Sequence, residues 1–282
     1  MFKLAIDAGH GINTAGKRVD KALDPKQTRE WTLNDRVARY IAEAAKQYEE
    51  VETLRVDDVT GKKDVSLSAR CKAANNWGAD MYAACHHNAG IKLGTGGGIV
   101  AFCYKLGTKA AEYRDEIYKA CIAAGGLKGN RSNPTPEKGY YVLKNTKMPA
   151  VLTEYGFMDS KTDAPVILTD AYAKLVGYAT MEAIAKVAGL KKTGTMKQDD
   201  AKKDTVKVDG AKSYNALKAG KYIVNTASLN LRSGASTSKQ ILEAMPKGKI
   251  FTCYGYYTGS WLYGISASGK KGFCHKSYLK KK

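Results

Sequence analysis

Met81-Tyr82-Ala83-Ala84-Cys85-His86-His87-Asn88 decides the fold. Its first five residues are apolar or small without polar alternation, the pattern of a strand buried on both faces in a parallel sheet. The run ends on two of the chain's four histidines. A second run, Phe2-Lys3-Leu4-Ala5-Ile6-Asp7-Ala8-Gly9-His10-Gly11, ends on a third. Open α/β sheets place ligands at strand ends, and neutral imidazole is the commonest metal ligand. Scarce histidines at strand ends therefore predict one metal site.

Working outward, residues 2–6 read as a strand and Trp31 to Tyr48 as a helix, with Leu33, Val37, Tyr40, Ile41, Ala44 and Ala45 on one face. Strands are predicted at 51–56, 99–104, 140–143 and 150–153, and helices at 66–77, 108–124 and 170–188. Alternating strands and helices predict an α/β layer, a mainly parallel twisted sheet flanked by helices, over residues 1–190. Residues 191–220 are rich in Lys, Asp, Thr and Gly and read as a flexible linker, with a helical spacer as the alternative. Over 221–282, short apolar runs between Gly, Ser and Lys turns predict a small all-β barrel.

The net charge of +19 is uneven. Residues 1–190 hold 27 Lys and Arg against 22 Asp and Glu, whereas 191–282 hold 19 against 5. A basic tail reads as a docking surface for a polyanion. Nucleic acid is not expected as that partner, because no basic and aromatic recognition motif accompanies the charge. No run of about 18 apolar residues predicts membrane insertion, and the first ten residues read as a strand rather than a secretory signal. The expectation is a chain made in a cytoplasm, with its six cysteines reduced and mostly buried; a Cys253–Cys274 bridge stays open.

Two carboxylates could join His10 and His86. Glu30 opens the first long helix, where a helix-dipole role is equally easy to write. Glu154 lies at the mouth of the strand 149–153, where burial raises a carboxyl's pKa toward that of a general base. Two histidines and one carboxylate make a catalytic zinc set with one open position, and a further carboxylate held off the metal takes a proton from water. Gly96-Gly97-Gly98 lacks a following Lys-Ser/Thr and reads as a flexible rim, Trp77 as core and His275 as a surface or strand residue. Tyr140, Tyr141 and Tyr155 could line a groove or pack.

The stretches Ile6-Asp7-Ala8-Gly9-His10-Gly11, Glu30-x-x-x-Asn34, His86-His87-Asn88-Ala89 and Tyr141 to Phe157 come in an order that resembles the zinc-dependent N-acetylmuramoyl-L-alanine amidases of bacterial autolysins and phage endolysins. The resemblance implies that His10, Glu30 and His86 bind one Zn2+ and that Glu154 is the catalytic carboxylate; Asn88 is read as a group that bonds substrate or orients a ligand, with capping of a turn as the alternative. Cys85 departs from the family's usual small polar residue and is not expected to disable the site. Adjacent strand side chains point to opposite faces, so His87 is expected to line the cleft or face a neighbouring loop. Leu229-Asn230-Leu231-Arg232-Ser233-Gly234, Gly259-Ser260-Trp261 and Gly272 to Leu279 resemble a bacterial SH3-type cell-wall-binding domain. Together these imply a peptidoglycan hydrolase cutting between N-acetylmuramic acid and L-alanine, with peptidoglycan and anionic wall polymers as partners. A phage endolysin acting on the wall after release is the expectation. The alternatives are a bacterial sporulation or autolysis amidase, a zinc peptidase cutting the stem peptide, and a binding protein with a dead amidase fold.

Overall fold

The computed structural model describes residues 1–193, 213–214, 218 and 220–281. The chain forms two compact units, Met1–Gly194 and Thr195–Lys282.

The first unit is built on β1 (Phe2–Ala8), β2 (Val51–Arg55), β3 (Met81–Asn88), β4 (Val100–Phe102) and β5 (Ala150–Phe157), in the order β2-β1-β3-β5-β4. The pairs β2–β1, β1–β3 and β3–β5 are parallel, and only β4 runs antiparallel, against β5. Its helices are α1 (Glu30–Ala45), α2 (Leu67–Trp77), α3 (Lys109–Ala123), α4 (Tyr141–Asn145), α5 (Ala164–Ile167) and α6 (Asp170–Ala188).

The unbroken apolar strands are explained by two cores. Leu4, Ile6, Met81, Ala83, Cys85 and Val151 join one core with residues of α1, α3 and α6. Their neighbours Ala5, Tyr82, Ala84 and Leu152 join the other, with residues of α2 and α4. A period of two puts successive side chains on opposite faces, so a strand covered on both sides has no polar position to show. In α1 the buried positions Leu33, Val37, Ala38, Ile41, Ala44 and Ala45 form the stripe the spacing predicts, while Tyr40 is only half-buried.

Residues 140–143 differ from expectation: they start α4 rather than a strand. Tyr141 is exposed while Val142 and Leu143 are both buried, which one helical turn allows and strand alternation does not. Thr146 Oγ1–H donates to Val142 O at 2.7 Å and Asn145 Nδ2–H to Tyr141 O at 2.9 Å, closing the turn locally. The short α5 has no counterpart in the sequence reading. β5 also continues beyond 153, so Glu154 lies within the strand.

The second unit is antiparallel. It comprises β6 (Ser213–Tyr214), β7 (Gly220–Val224), β8 (Ser228–Arg232), β9 (Ile241–Pro246), β10 (Ile250–Thr258), β11 (Trp261–Ser266), β12 (Lys271–His275), a 3-10 turn at Lys276–Tyr278, and β13 (Leu279–Lys281). The order is β13-β7-β10-β11-β12-β8-β9, with β6 also paired to β10. Val224, Leu231, Met245, Phe251, Leu262 and Cys274 belong to its core. The linker read over 191–220 falls largely outside the described residues; within it, Ser213–Tyr214 and Gly220 already pair with β10. All six cysteines are unbridged and buried.

Candidate functional site

The site is built at the carboxyl ends of β1 and β3. Gly9 N–H donates to Cys85 O at 3.0 Å, carrying the β1–β3 pairing one step past the end of β1. His10 then turns into the left-handed region, φ 68°, a conformation uncommon outside glycine that the surroundings must hold in place. Arg70, on α2 and 1% exposed, does this. It donates to Ala8 O and His10 O, each at 2.8 Å, to Val65 O at 2.7 Å, and to Asp64 Oδ1 at 3.1 Å. It also pairs with the buried Asp7, whose second oxygen accepts the Tyr82 hydroxyl at 2.6 Å. A buried guanidinium bonded on all sides is a fixed strut; stripped of its partners it would be a liability.

The first turn of α1 brings Glu30 to the same place. Its Oε1 lies 3.3 Å from His10 Nε2 and 3.2 Å from His86 Nδ1. The ligand atoms of His10, Glu30 and His86 all lie within 4.8 Å of one another. Metal bonds of about 2.0–2.2 Å in a tetrahedron set neighbouring ligand atoms roughly 3.3 Å apart, so both measured pairs fit a shared ion. Glu30 is 1% exposed, and its Oε2 is buried without a hydrogen-bond partner, 3.7 Å from Lys17 Nζ. Burial pushes the Glu30 carboxyl up, but the two histidines together outweigh it and hold it well below the usual range. A buried carboxylate with a free oxygen beside two imidazoles suits a small divalent cation, and the donor set suits zinc.

A second layer orients these groups. Asn34, one turn after Glu30, donates through Nδ2 to Gly9 O at 3.0 Å and to Glu30 Oε1 at 3.4 Å. Its Oδ1 must then accept, so the 2.8 Å contact with His87 Nδ1 assigns that proton to His87. His87 is 3% exposed and burial lowers its pKa to about 3, which keeps it neutral. It therefore neither lines the cleft nor faces a loop: it lies beneath the site, its ring 6.1 Å from that of Tyr155. The burial that moves His87 inward also pushes the Cys85 thiol up, leaving it a neutral core group.

Glu154 pairs in register with His86 across β3 and β5. Its Oε2 is buried and unpartnered. Burial raises its pKa to about 7; His86 and Lys17 oppose the shift and Glu30 adds to it. The register shifts just beyond this pair, and Gly156, φ 142°, absorbs the extra residue of β5 where a Cβ would meet Ile167 Cγ2 at 2.7 Å. A cleft of about 400 Å³ opens beside His10 and His86, lined also by Asp64, Ser66 and Leu67.

The other sequence candidates divide. Tyr140 lies within electrostatic reach of Glu154, whose charge adds to the effect of burial in raising its pKa. Tyr141 is exposed and Tyr155 is core, its hydroxyl 2.9 Å from Thr180 Oγ1. Asn88 Oδ1 accepts the Ala89 N–H at 2.8 Å. The three-glycine run is pinned: Gly96, Gly97 and Gly98 donate their N–H groups to Thr162, Asn130 and Asp163. Arg70, Lys17 and Gly9 received no role from sequence. Asn34, by contrast, carried a usable signal in its one-turn spacing from Glu30.

An α/β sheet whose strand ends gather two histidines and a carboxylate has the donor set of a metal-dependent hydrolase. Residues 4–186 match the family described as N-acetylmuramoyl-L-alanine amidase, and residues 227–280 match the bacterial SH3 domain. The chain belongs to this amidase family and is a peptidoglycan hydrolase. It is 30% identical over 195 residues to the N-acetylmuramoyl-L-alanine amidase CwlM of Bacillus licheniformis, covering 68% of this chain and 71% of that protein. It is likewise 30% identical over 205 residues to the endolysin of Bacillus phage SPP1, 68% of each chain. Among solved structures, the N-acetylmuramoyl-L-alanine amidase from Clostridium difficile 630 shares the fold at a TM-score of 0.59 and 22% identity, over 67% of this chain and 97% of that one.

Proposed function

We propose that His10, Glu30 and His86 hold one Zn2+ and that Glu154 is the general base for cleavage of the amide between N-acetylmuramic acid and L-alanine. The convergence of the three donor atoms within 4.8 Å carries the reading. Bound zinc supplies Lewis acidity, polarising the scissile carbonyl and lowering the pKa of water. Glu154 takes the proton of the attacking water and returns it to the leaving L-alanine nitrogen, for which a carboxyl poised near pH 7 is suited. Lys17 offsets the negative charge at Glu30, and the Asn34–His87 pair keeps Glu30 Oε1 aimed at both imidazoles. With its Oδ1 already occupied, Asn88 offers substrate its amide N–H donors. Digestion of purified peptidoglycan tests the reaction: new L-alanine amino termini and no new reducing ends are expected. A chelator should abolish the reaction and added Zn2+ restore it. New amino termini from other stem residues would instead mark a peptidase.

In this reading residues 1–190 are catalytic and 221–282 bind the wall, with anionic wall polymers strengthening attachment. Eleven Lys and Arg against Glu243 alone over 221–282 support that charge contribution. Binding to purified walls should weaken several-fold as NaCl rises from about 0.05 to 0.5 M, because screening shortens the reach of exposed charge. Pelleting with walls measures this, and salt-independent binding would remove the charge contribution.

The biological role we favour is that of a phage endolysin, supported by the likeness to the phage SPP1 protein. A second reading has equal support, because the sporulation-specific amidase of Bacillus subtilis strain 168 is also 30% identical, over 196 residues. Comparing rates on vegetative wall and spore cortex separates them: the endolysin role expects faster attack on vegetative wall. No helix among the described residues is long and apolar enough to cross a membrane.

A further inference from the structure

The second unit carries a pocket of about 320 Å³ formed within its own sheet. Asn230 and Arg232 reach it from β8, Trp261 from the start of β11, His275 from the end of β12, Tyr278 from the 3-10 turn and Thr237 from the loop after β8. Trp261 and His275 are register partners with rings 5.2 Å apart, and Tyr278 lies 5.8 Å beyond His275, so three rings form one wall.

Two polar features mark the opposite demand. His275 Nδ1 is buried and has no hydrogen-bond partner among the described residues, and a buried ring nitrogen of that kind calls for an explanation. Arg232 donates one Nη1–H to Lys239 O at 2.8 Å, which fixes a guanidinium that has further donors to give. No carboxylate lines the pocket; Glu243, the one acid of residues 221–282, accepts the hydroxyls of Ser266 and Ser268 at 2.7 and 2.6 Å.

We infer that this pocket binds a short peptide by its free carboxylate, held between Arg232 and His275 Nδ1–H, with an aliphatic side chain against Trp261 and Tyr278. The inference rests on the wall-binding reading of the second unit and names its ligand as the peptide of the wall. One fixed guanidinium and one unpaired ring nitrogen, in the tautomer that carries its proton on Nδ1, complement a single planar carboxylate. A neutral sugar chain would leave the guanidinium without a counter-charge. A phosphate polymer would call for a row of cations, and no lysine lines the pocket. The volume lies at the small end of the roughly 300–1,000 Å³ range of ligand sites, suited to a chain end rather than a long polymer.

The test is a titration of the full chain, followed by the Trp261 indole N–H resonance, with N-acetyl-D-alanyl-D-alanine and with its C-terminal amide. The acid should shift the resonance and bind about tenfold more tightly than the amide, as loss of a charged hydrogen bond implies. Arg232→Gln and His275→Phe should each weaken the acid by about fivefold or more. The second variant matters because Arg232 also braces its loop, whereas phenylalanine preserves the ring wall and removes only the nitrogens. Chitotetraose and inorganic phosphate should leave the resonance unmoved. Equal binding of acid and amide, indifference to both substitutions, or a shift with chitotetraose or phosphate in place of the peptide would overturn the inference. Pelleting with purified walls separates the two levels: a chain that pellets yet ignores the peptide overturns the pocket assignment alone. Failure to pellet removes the wall-binding reading, while the acid–amide comparison still decides what the pocket binds.

Discussion

Glu154→Gln should lose turnover by a factor of about 10³ or more while keeping zinc and wall affinity. Positioned acid–base catalysis contributes typically 10²–10⁴-fold, and in the proposed mechanism one group serves both the attacking water and the departing amine. Glutamine preserves volume and strand pairing, so β5 and the His86–Glu154 register should survive. Release of new L-alanine amino termini measures the loss, and zinc content by atomic absorption checks the metal. Turnover within tenfold of the parent would remove Glu154 from the reaction.

The same substitution carries a stability signature of opposite sign. Burial raises Glu154 from its ordinary 4.5 to about 7, so between those values the folded chain binds this proton more tightly than the unfolded chain. Stability from this group therefore falls as pH rises through that window, and the deficit is complete above about 7. Glutamine has no proton to lose, so metal-free Glu154→Gln should be more stable than the metal-free parent at pH 8, by about 1–3 kcal/mol after discounting for residual exposure. The two proteins should converge near pH 4.5. Thermal unfolding at both pH values reads the difference, and a variant less stable than its parent at pH 8 would contradict the raised pKa. Such a trade, stability given up for a reactive group, is common at active sites.

How much was legible follows from where each signal resides. The unbroken apolar runs at β1 and β3 and the stripe of α1 declare themselves in sequence because burial acts on every residue of a strand or every turn of a helix. α4 does not, since five residues hold little more than one helical turn and Tyr-Val-Leu fits a strand as well. His10 and His86 were readable as strand-end histidines; the alternation of strand faces leaves only one of His86 and His87 for the site, and the family resemblance, not the geometry, selects His86. Where His87 goes was not readable: its partner Asn34 is on a helix 53 residues away. Arg70 was hidden for the same reason. Nothing local distinguishes it from a solvent-facing arginine of α2, and its role appears only when Ala8 and His10 arrive at its guanidinium.

Gly9→Ala should destroy the proposed metal site through one methyl group. Gly9 lies outside the left-handed region, so alanine suits its backbone and no conformational strain enters. A Cβ there would sit 2.0 Å from His86 Cε1 and 2.3 Å from Nε2, far inside contact distance. The ring cannot stay, and His86 must rotate or β1 must separate from β3. The second course breaks the Gly9–Cys85 hydrogen bond and disturbs the Arg70 strut at Ala8 and His10, so rotation of His86 is the smaller disturbance. Rotation removes one of the three proposed zinc ligands, and misplacing a ligand by about 1 Å can cost roughly 10²-fold in rate. Zinc affinity by chelator competition and turnover should each fall by at least that factor, approaching His86→Ala. The melting temperature of the metal-free protein should move by only a few degrees, since the cores on both faces of the sheet are untouched. A variant that keeps its zinc would place the metal away from His86, and with it the site built on His10 and Glu30.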